Sequence, residues 1–369
     1  MSEQIRFIIA GGGARSDYLY APLFKMLSDE LELAGIWSRS TERARFLGEK
    51  HAVPWSTDLQ GLIKETKAQA AIVSVNYHAN GEVGRLIVDS GLHALLETPI
   101  AHHLWDADAI IAGAKAQDLK IEVAEQYYRR PIERLKRLLI DAGLFGRINA
   151  AYNDFMGHGY HGVSLIRSYI GFDVPVLSVS GDEEEYGTAS YYAWISQTTG
   201  RQQEQWQHGV LRFDGGRLGF FNWSGIAYDS PLRWLRSTKF FGEIGMGVGD
   251  RLTLLTPDGK DPQPIEIERR IHNVGGMETL RELVATIPNP VSGAKEIVWR
   301  NPFRQYYMDD EMIAVADCLM SLVNAIRSGT QPEYGPQQAR LDQEIVLAMQ
   351  ASARNNHQPV RLPYTEPEA

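Results

Sequence analysis

A glycine-rich run near the start of the chain is the first group of residues whose types and spacing suggest chemistry. It consists of Gly11, Gly12, Gly13, Ala14 and Arg15. The run follows an apolar stretch and precedes a helical pattern. Glycine there lets the backbone turn tightly and approach a pyrophosphate, which the helix N-terminus stabilises. Ser16 occupies the third position of a G-x-G-x-x-G fingerprint. The strand–turn–helix setting still favours dinucleotide binding over a plain turn.

Residues 37–40 indicate which dinucleotide is preferred. Folds that bind NAD usually carry an acidic residue after the second strand, where it contacts the ribose hydroxyls. Ser38, Arg39 and Ser40 stand here instead, and an arginine can pair with a 2′-phosphate in bidentate fashion. We therefore predict a preference for NADP over NAD. The alternative is that Arg39 is solvent-exposed and Ser40 only caps the next helix.

Two imidazoles and a phenol occur close together at a predicted loop-to-helix junction. They belong to His158, Tyr160 and His161. Imidazole exchanges a proton near neutral pH, because its ordinary pKa is about 6.5. We predict that His161 is a general acid/base and that His158 or Tyr160 assists it; the alternative for His161 is helix capping or packing. A metal site would need a further donor, and no metal is expected.

Composition narrows the classes of protein to consider. The chain has 369 residues and a formal net charge of −9, which argues against a dedicated nucleic-acid binder. Its single cysteine, Cys318, cannot form an internal disulfide, which fits a reducing cytoplasm. The N-terminus lacks the features of a signal peptide, and no apolar stretch reaches the roughly 18–20 residues of a membrane-spanning helix. We expect a cytoplasmic protein without nucleic-acid or membrane partners.

The elements that position these residues suggest a two-domain α/β protein. In residues 1–125, predicted strands at 5–10, 33–37, 70–75, 93–96 and 120–123 alternate with helices at 19–27, 41–50, 81–90 and 104–117. This alternation predicts a Rossmann-type parallel sheet that binds a dinucleotide.

Residues 126–369 have a different pattern and predict a second domain, of the α+β class; its expected roles in substrate binding and oligomerisation come from a family resemblance rather than from this pattern. Helices are predicted at 131–142 and 161–169, and two long helices at 309–328 and 336–355. Between them, segments 175–180, 191–197, 205–213, 218–226 and 232–241 are rich in aromatic and β-branched residues. They predict a large mixed or antiparallel sheet.

The order of these motifs resembles the family of glucose–fructose oxidoreductase, inositol dehydrogenase and MocA. The similarity extends over nearly the whole chain. Besides the glycine-rich run, it includes residues 74–80, 97–101, 125–131, 159–161, 325–329 and 351–353. The resemblance implies an NAD(P)-dependent enzyme that acts on sugars, cyclitols and related polyols, assembled as a dimer or tetramer through the open face of its second sheet.

The chain departs from the family at its usual catalytic positions. The family's Glu-Lys-Pro motif has Thr98 in place of its lysine, so only a hydroxyl remains, which can hydrogen-bond but cannot carry the positive charge. The aspartate four residues before the family's histidine is replaced by Gly157, and an acidic residue three after it by Ser164. Thr98 and the residues around His161 are therefore the catalytic candidates, with non-standard chemistry.

The resemblance also suggests further binding residues. Asn76 and Tyr77, with Glu97, are expected near the ribose and nicotinamide of the cofactor, although Tyr77 could simply cover the sheet edge. Gln126, Tyr127 and Arg129 are expected to face the substrate, with a structural salt bridge as the alternative for Arg129. The aromatic residues Trp194, Trp206, Trp223, Tyr228 and Trp234 are expected mainly to pack, although such rings can stack on sugars.

Three functions are compatible with the sequence. The first is an oxidoreductase that transfers a hydride to or from a sugar, sugar derivative or polyol. The second is a redox-neutral lyase, glycosidase or isomerase in which bound NAD(P) oxidises the substrate transiently. The third is a non-catalytic relative that senses a cofactor or ligand, suggested by the loss of the family's lysine and aspartate.

Overall fold

The chain is divided between two compact units whose boundary is more complex than the predicted one. The computed structural model describes residues 4–194, 196–232, 235–288 and 295–367. Residues 1–129 and 309–343 form the first unit, and residues 130–308 and 344–369 form the second. The predicted boundary at residue 125 lies close to the first crossing. The prediction that everything after it belongs to the second domain differs from the structure, because residues 309–343 return to the first unit.

The first unit contains a parallel sheet whose strands alternate with helices. Its strands are β1 (Ile5–Ala10), β2 (Leu31–Trp37), β3 (Trp55–Ser56), β4 (Ala70–Val73), β5 (His93–Leu96) and β6 (Ile121–Val123). Its first helices are α1 (Ala21–Met26), α2 (Thr41–His51), α3 (Leu59–Thr66), α4 (Asn80–Asp89) and α5 (Leu104–Ala116). Within the described residues the strand order is β3-β2-β1-β4-β5-β6. This order creates a switch point between β1 and β4, where ligands bind in open sheets of this kind.

The predicted Rossmann-type sheet is confirmed, and most of its elements match their predicted ranges to within two residues. Strands β1 and β4 are almost wholly apolar and buried, as expected for strands covered on both faces. The elements predicted from the sequence did not include β3 and α3. They also included a helix at 19–27, where the structure has a π-helical turn over Ser16–Tyr20 followed by α1.

The second unit is built on a large mixed sheet. Its elements before residue 309 are α6 (Pro131–Asp141), β7 (Ile148–Asp154), α7 (Gly159–Ile170), β8 (Val176–Gly187), β9 (Tyr191–Ala193), β10 (Thr198–Gly200), β11 (Gln203–Phe213), β12 (Leu218–Ser224), α8 (Ile226–Asp229), β13 (Ser237–Gly242), β14 (Gly245–Val248), β15 (Arg251–Leu255), β16 (Pro262–Val274), β17 (Met277–Thr286) and β18 (Glu296–Arg300). Helix α7 packs on one face of this sheet, against β7 and β12. Strands β7 and β12 pair in parallel, whereas β7 and β13, and β11 and β12, pair antiparallel, so the expected large mixed sheet is confirmed.

Two long helices and a short strand complete the chain: α9 (Asp310–Ser328), α10 (Pro336–Arg354) and β19 (Val360–Arg361). In the described part of the second unit, eleven strands run in the order β18-β17-β16-β15-β14-β13-β7-β12-β11-β8-β19. Helix α9 belongs to the first unit, where it packs against β5 and β6. None of the described helices is long and apolar enough to cross a membrane.

Candidate functional site

A cleft of about 590 Å³ opens in the first unit where β1, β2, β4 and β5 end. It is lined by residues 11–15, 37–40 and 74–76 together with Glu97 and Thr98. The structure therefore brings together nearly all the cofactor-binding residues predicted from sequence. The volume falls within the range of small-molecule sites.

The three glycines of the run have different neighbours. Gly11 has φ +138°, and a Cβ atom built on it would lie 1.9 Å from the carbonyl oxygen of Ser74. A Cβ on Gly12 would lie 2.5 Å from the Cβ of Arg43, whereas one on Gly13 would meet nothing within 4 Å. Packing thus requires glycine at the first two positions. Gly13 leaves backbone open to the cleft, as close approach to a pyrophosphate would need.

The segment after β2 combines cleft lining with helix capping. The Ser40 side chain accepts a hydrogen bond from the Arg43 backbone N–H at 3.3 Å and caps α2. The Ser38 hydroxyl accepts from the Ser40 N–H at 3.2 Å. The Arg39 side chain is 58% exposed and lies 3.4 Å from a carboxylate oxygen of Glu82. Arg39 is therefore exposed and Ser40 caps α2, as the alternative interpretation expected. The same exposure leaves Arg39 accessible to a ligand in the cleft.

Glu97 is held at the cleft by two side chains from the glycine-rich turn and the helix after it. Arg15 Nε and the Tyr20 hydroxyl both donate to Oε1 of Glu97. Burial and the neighbouring Glu97 carboxylate raise the pKa of Tyr20 well above its usual value. Burial alone would lower the pKa of Arg15, but Glu97 raises it overall. The Arg15 side chain therefore positions the Glu97 carboxylate at the cleft, which both residues line.

Thr98, at the position of the family's lysine, is half-buried and lines the same cleft. Next to it, the Asn80 amide donates to the carbonyl oxygens of Glu97 and Pro99. Asn76 accepts from the Ala79 N–H at 3.1 Å and so fixes the turn after β4. The backbone around Thr98 is thus held on both sides.

Tyr77 is part of a cluster of rings that the sequence reading did not identify. Its ring, 40% exposed, contacts the rings of His78 and His102 edge-on, at centroid distances of 4.8 and 4.6 Å. His103 contacts His102 at 4.5 Å. Tyr77 does not line the cleft, but its exposed ring stays accessible to a ligand.

The three residues expected to face the substrate are all buried. Gln126 and Tyr127 are 5% and 7% exposed, and Arg129 is 0% exposed. Nη2 of Arg129 donates to Glu122 Oε1 at 2.6 Å, and Glu122 is also fully buried. This is the structural ion pair that the sequence left open. The geometry does not support substrate binding by the Arg129 side chain, because it has no exposed surface.

In the second unit, β7 leads through a tight turn into α7 and brings the two predicted imidazoles together. The ring centroids of His158 and His161 lie 4.8 Å apart. Tyr160 lies 4.6 Å from His161 and 5.2 Å from His158. His161 is 5% exposed, and His158 occupies the N-cap position of α7 without a side-chain cap bond. His161, for which capping was the alternative, lies inside α7 and is not its N-cap residue, so its burial fits the packing alternative better than capping.

The turn that carries these rings is fixed by Asn153 at the end of β7. Its amide oxygen accepts from the Gly157 N–H, and its amide nitrogen donates to the Gly157 carbonyl, both at 2.9 Å. Gly157, where the family has aspartate, lies against α7: a Cβ on it would come within 2.8 Å of the His161 Cβ. Any larger side chain would therefore have to displace the helix start.

Trp223 completes this group from β12. Its ring lies 5.5 Å from that of His158 at an interplanar angle of 62°. Trp206 instead contacts Phe155, Tyr186 and His208, and Trp194 contacts Tyr192. Trp234 and the side chain of Tyr228 lie outside the described residues. Across the ranges that the structure describes, no three His, Cys, Asp or Glu side chains are grouped to hold a metal ion.

Comparison with known proteins agrees with this geometry. Residues 5–125 match the model of an oxidoreductase family with an NAD-binding Rossmann fold. Over 150 residues, 40% of this chain, the sequence is 27% identical to scyllo-inositol 2-dehydrogenase (NADP(+)) IolU of Bacillus subtilis. The chain spans less than half of that relative's length, 45%.

Solved structures extend the similarity of fold to nearly the whole chain. An NAD-binding oxidoreductase from Klebsiella pneumoniae has a TM-score of 0.73 at 14% identity, with 99% of this chain and 100% of that chain covered. An oxidoreductase from Agrobacterium radiobacter, solved in complex with NAD⁺, L-tartaric acid and magnesium, has a TM-score of 0.68 at 14% identity. The match covers 97% of this chain and 98% of that chain. The resemblance seen in the sequence, to the family of glucose–fructose oxidoreductase, inositol dehydrogenase and MocA, is thus confirmed over residues 5–125, which match the model of that family.

Proposed function

We propose that this chain is an NADP-preferring oxidoreductase that acts on a hydroxyl or carbonyl group of a sugar, sugar derivative or polyol. The cleft at the switch point, with the open backbone of Gly13 and the accessible Arg39, is the observation that carries the cofactor assignment. The match to an NADP⁺-dependent inositol dehydrogenase supports both the cofactor and the substrate class.

The chain's own residues have separate roles in this proposal. A bound nicotinamide dinucleotide would supply the acceptor or donor of a hydride. His161 takes the hydroxyl proton at a ring nitrogen during oxidation and returns it during reduction, and its burial favours a fixed orientation. His158 and Tyr160 orient the imidazole or assist it through direct ring contact. Thr98 offers a hydrogen bond in place of the family's lysine.

A substrate screen with purified protein and NADP⁺ tests the proposal. Nicotinamide absorbance should rise with a sugar or polyol from the panel, and the product should be the corresponding carbonyl compound. Turnover without net reduction, with deuterium from solvent in the product, would instead support the redox-neutral alternative. A folded protein that binds neither NADPH nor NADH would support the non-catalytic alternative.

We also propose a homodimer or homotetramer formed through the sheet face opposite α7. Asn153 faces α7, so Tyr152 faces the other way, because side chains alternate along a strand. Tyr152 stacks on Phe220 at 4.4 Å and contacts Phe241, which is 36% exposed. Sedimentation analysis of wild type and Phe241→Glu tests this: the variant should shift toward monomer, and a wild-type monomer would contradict the proposal.

A further inference from the structure

Two arginines of the second unit reach the same residue, Met156, which lies two positions before His158. Nη1 of Arg130 and Nη2 of Arg236 each lie 4.0 Å from the Met156 sulfur. The two nitrogens are therefore at most twice that distance apart. Nη2 of Arg236 also donates to the Met156 carbonyl oxygen. Two permanent positive charges thus lie beside the turn that leads into His158 and His161.

This arrangement suits an anionic group. Guanidinium is always protonated, and its planar fork matches carboxylate and phosphate through parallel hydrogen bonds. Both side chains are half-buried, where charge–charge attraction is stronger than on an open surface. The chain as a whole carries a net charge of −9, so an anion gains nothing from its overall field. Local positive charge would be needed to recruit one.

The His158 ring, two residues after Met156, contacts an aromatic side chain. Trp223 lies edge-on to it, and an indole combines a large apolar face with an N–H that can hydrogen-bond, which are the two features a sugar ring can use. The ring surface, the imidazoles and the two arginines all belong to the second unit.

We infer that Arg130 and Arg236 recognise a carboxylate or phosphate on the substrate, so that the substrate is a sugar acid or a sugar phosphate rather than a neutral sugar. This inference rests on the proposed function and specifies its substrate class. Arg236 also has a structural role, since it binds the Met156 carbonyl. A purely structural role would affect neutral and anionic substrates equally, whereas recognition of an anion changes their ratio.

The experiment compares compounds that differ only at one carbon: D-glucose, D-glucuronate and D-glucose 6-phosphate, and the same three forms of galactose. Steady-state kinetics with NADP⁺ and calorimetric binding are measured for wild type, Arg130→Gln, Arg236→Gln and Arg236→Lys. Arg251→Gln is the matched control, because Arg251 is an exposed residue of β15 in the same unit.

Wild type should prefer one anionic form over the neutral hexose. Each glutamine variant should lower kcat/KM for that form by about 10- to 100-fold, as expected for a charge-assisted hydrogen bond, with a much smaller change for the hexose. Arg236→Lys should retain part of the preference, and Arg251→Gln should match wild type. Comparison of kcat/KM for the uronates with kcat/KM for the sugar phosphates identifies which anion is bound.

Preference for neutral hexoses, or equal losses on all forms, would overturn the inference and leave the proposed function intact. If no compound reduces NADP⁺, calorimetry still decides the inference. Binding of glucuronate or glucose 6-phosphate that is lost in Arg236→Gln would support it, and absence of binding by both would overturn it.

Discussion

Gly11 lies so close to Ser74 that a Cβ atom at position 11 would come within 1.9 Å of the Ser74 carbonyl oxygen. The two residues follow β1 and β4, the neighbouring strands at the switch point of the first sheet. Both residues line the cleft, whereas a Cβ atom on Gly13, two residues later, would meet nothing within 4 Å. One glycine is therefore needed by the fold, and the other is free to serve a ligand.

Substituting these two glycines should separate folding from binding. Gly13→Ala should leave the thermal unfolding temperature close to wild type but weaken NADPH binding by about 10-fold or more, because the new methyl group blocks the approach of a pyrophosphate. Gly11→Ala should lower the free energy of unfolding by about 1–3 kcal/mol, because the methyl group overlaps backbone. Calorimetric titration and thermal unfolding check both. Wild-type NADPH affinity in Gly13→Ala would contradict the cofactor assignment.

Arg39→Ala should discriminate between the two dinucleotides. Loss of a bidentate pair with the 2′-phosphate should weaken NADPH binding by about 10- to 100-fold, while NADH binding stays unchanged. Arg45→Ala is the control, since Arg45 is exposed on α2, the helix that follows Arg39. Equal effects of Arg39→Ala on both nucleotides, measured by calorimetry, would rule out the predicted preference.

His161→Gln should abolish most of the turnover while leaving nucleotide affinity intact. Loss of a general acid/base typically costs about 10²- to 10⁴-fold in rate, and the dependence of kcat on pH near neutrality should flatten. His357→Gln, at an exposed position of the second unit, should retain wild-type kinetics. An unchanged pH profile in His161→Gln would assign the proton transfer to another group.

Thr98→Lys should restore the cation that the family uses at this position. The side chain would enter the dinucleotide cleft, which Thr98 already lines, and kcat should rise by about 10-fold through general acid assistance. Thr98→Met, of similar length but uncharged, is the control. A lower kcat in both variants, measured with the substrate found by screening, would mean that the hydroxyl itself is needed.

Asp17 predicts a small pH dependence of stability. Hydrogen bonds from Lys50 at 2.7 Å and His51 at 2.9 Å lower its pKa from the usual 3.8. Because the pKa of Asp17 is lower in the folded than in the unfolded state, its ionised carboxylate stabilises the fold at pH values above the unfolded-state pKa. This stabilisation is lost as the pH falls through the folded-state pKa of Asp17. Asp17→Asn should therefore cost less than about 1 kcal/mol at pH near 7, because Lys50 is half exposed. In urea unfolding, the difference from wild type should shrink and disappear as the pH falls below the ordinary carboxyl pKa of 3.8; a difference that persists in acid would contradict the ion pair.

Local sequence patterns were enough for the sheet of the first unit, because its strands are short apolar runs bounded by turns. The strands from β14 to β18 were not predicted; β16, for example, has a single buried residue among its thirteen and carries charged side chains at Glu266, Glu268, Arg269 and Arg270, so it lacks the apolar run of a buried strand. The cleft was predictable because its residues all follow strand ends. By contrast, the hydrogen bond between Tyr20 and Glu97 joins residues that are 77 positions apart in the sequence. The hydrogen bond from Arg236 to the Met156 carbonyl joins residues that are 80 positions apart. No local pattern encodes such pairs.

The return of residues 309–343 to the first unit affects the order of events during synthesis. The backbone N–H of Val123 on β6 donates to the Tyr334 carbonyl at 3.0 Å, and Glu122 accepts from the Ser321 hydroxyl at 2.6 Å. A nascent chain that has emerged only to residue 129 lacks these partners, so the edge of its nucleotide-binding sheet stays uncovered. The first unit to begin emerging from the ribosome is thus completed only after most of the second has been translated.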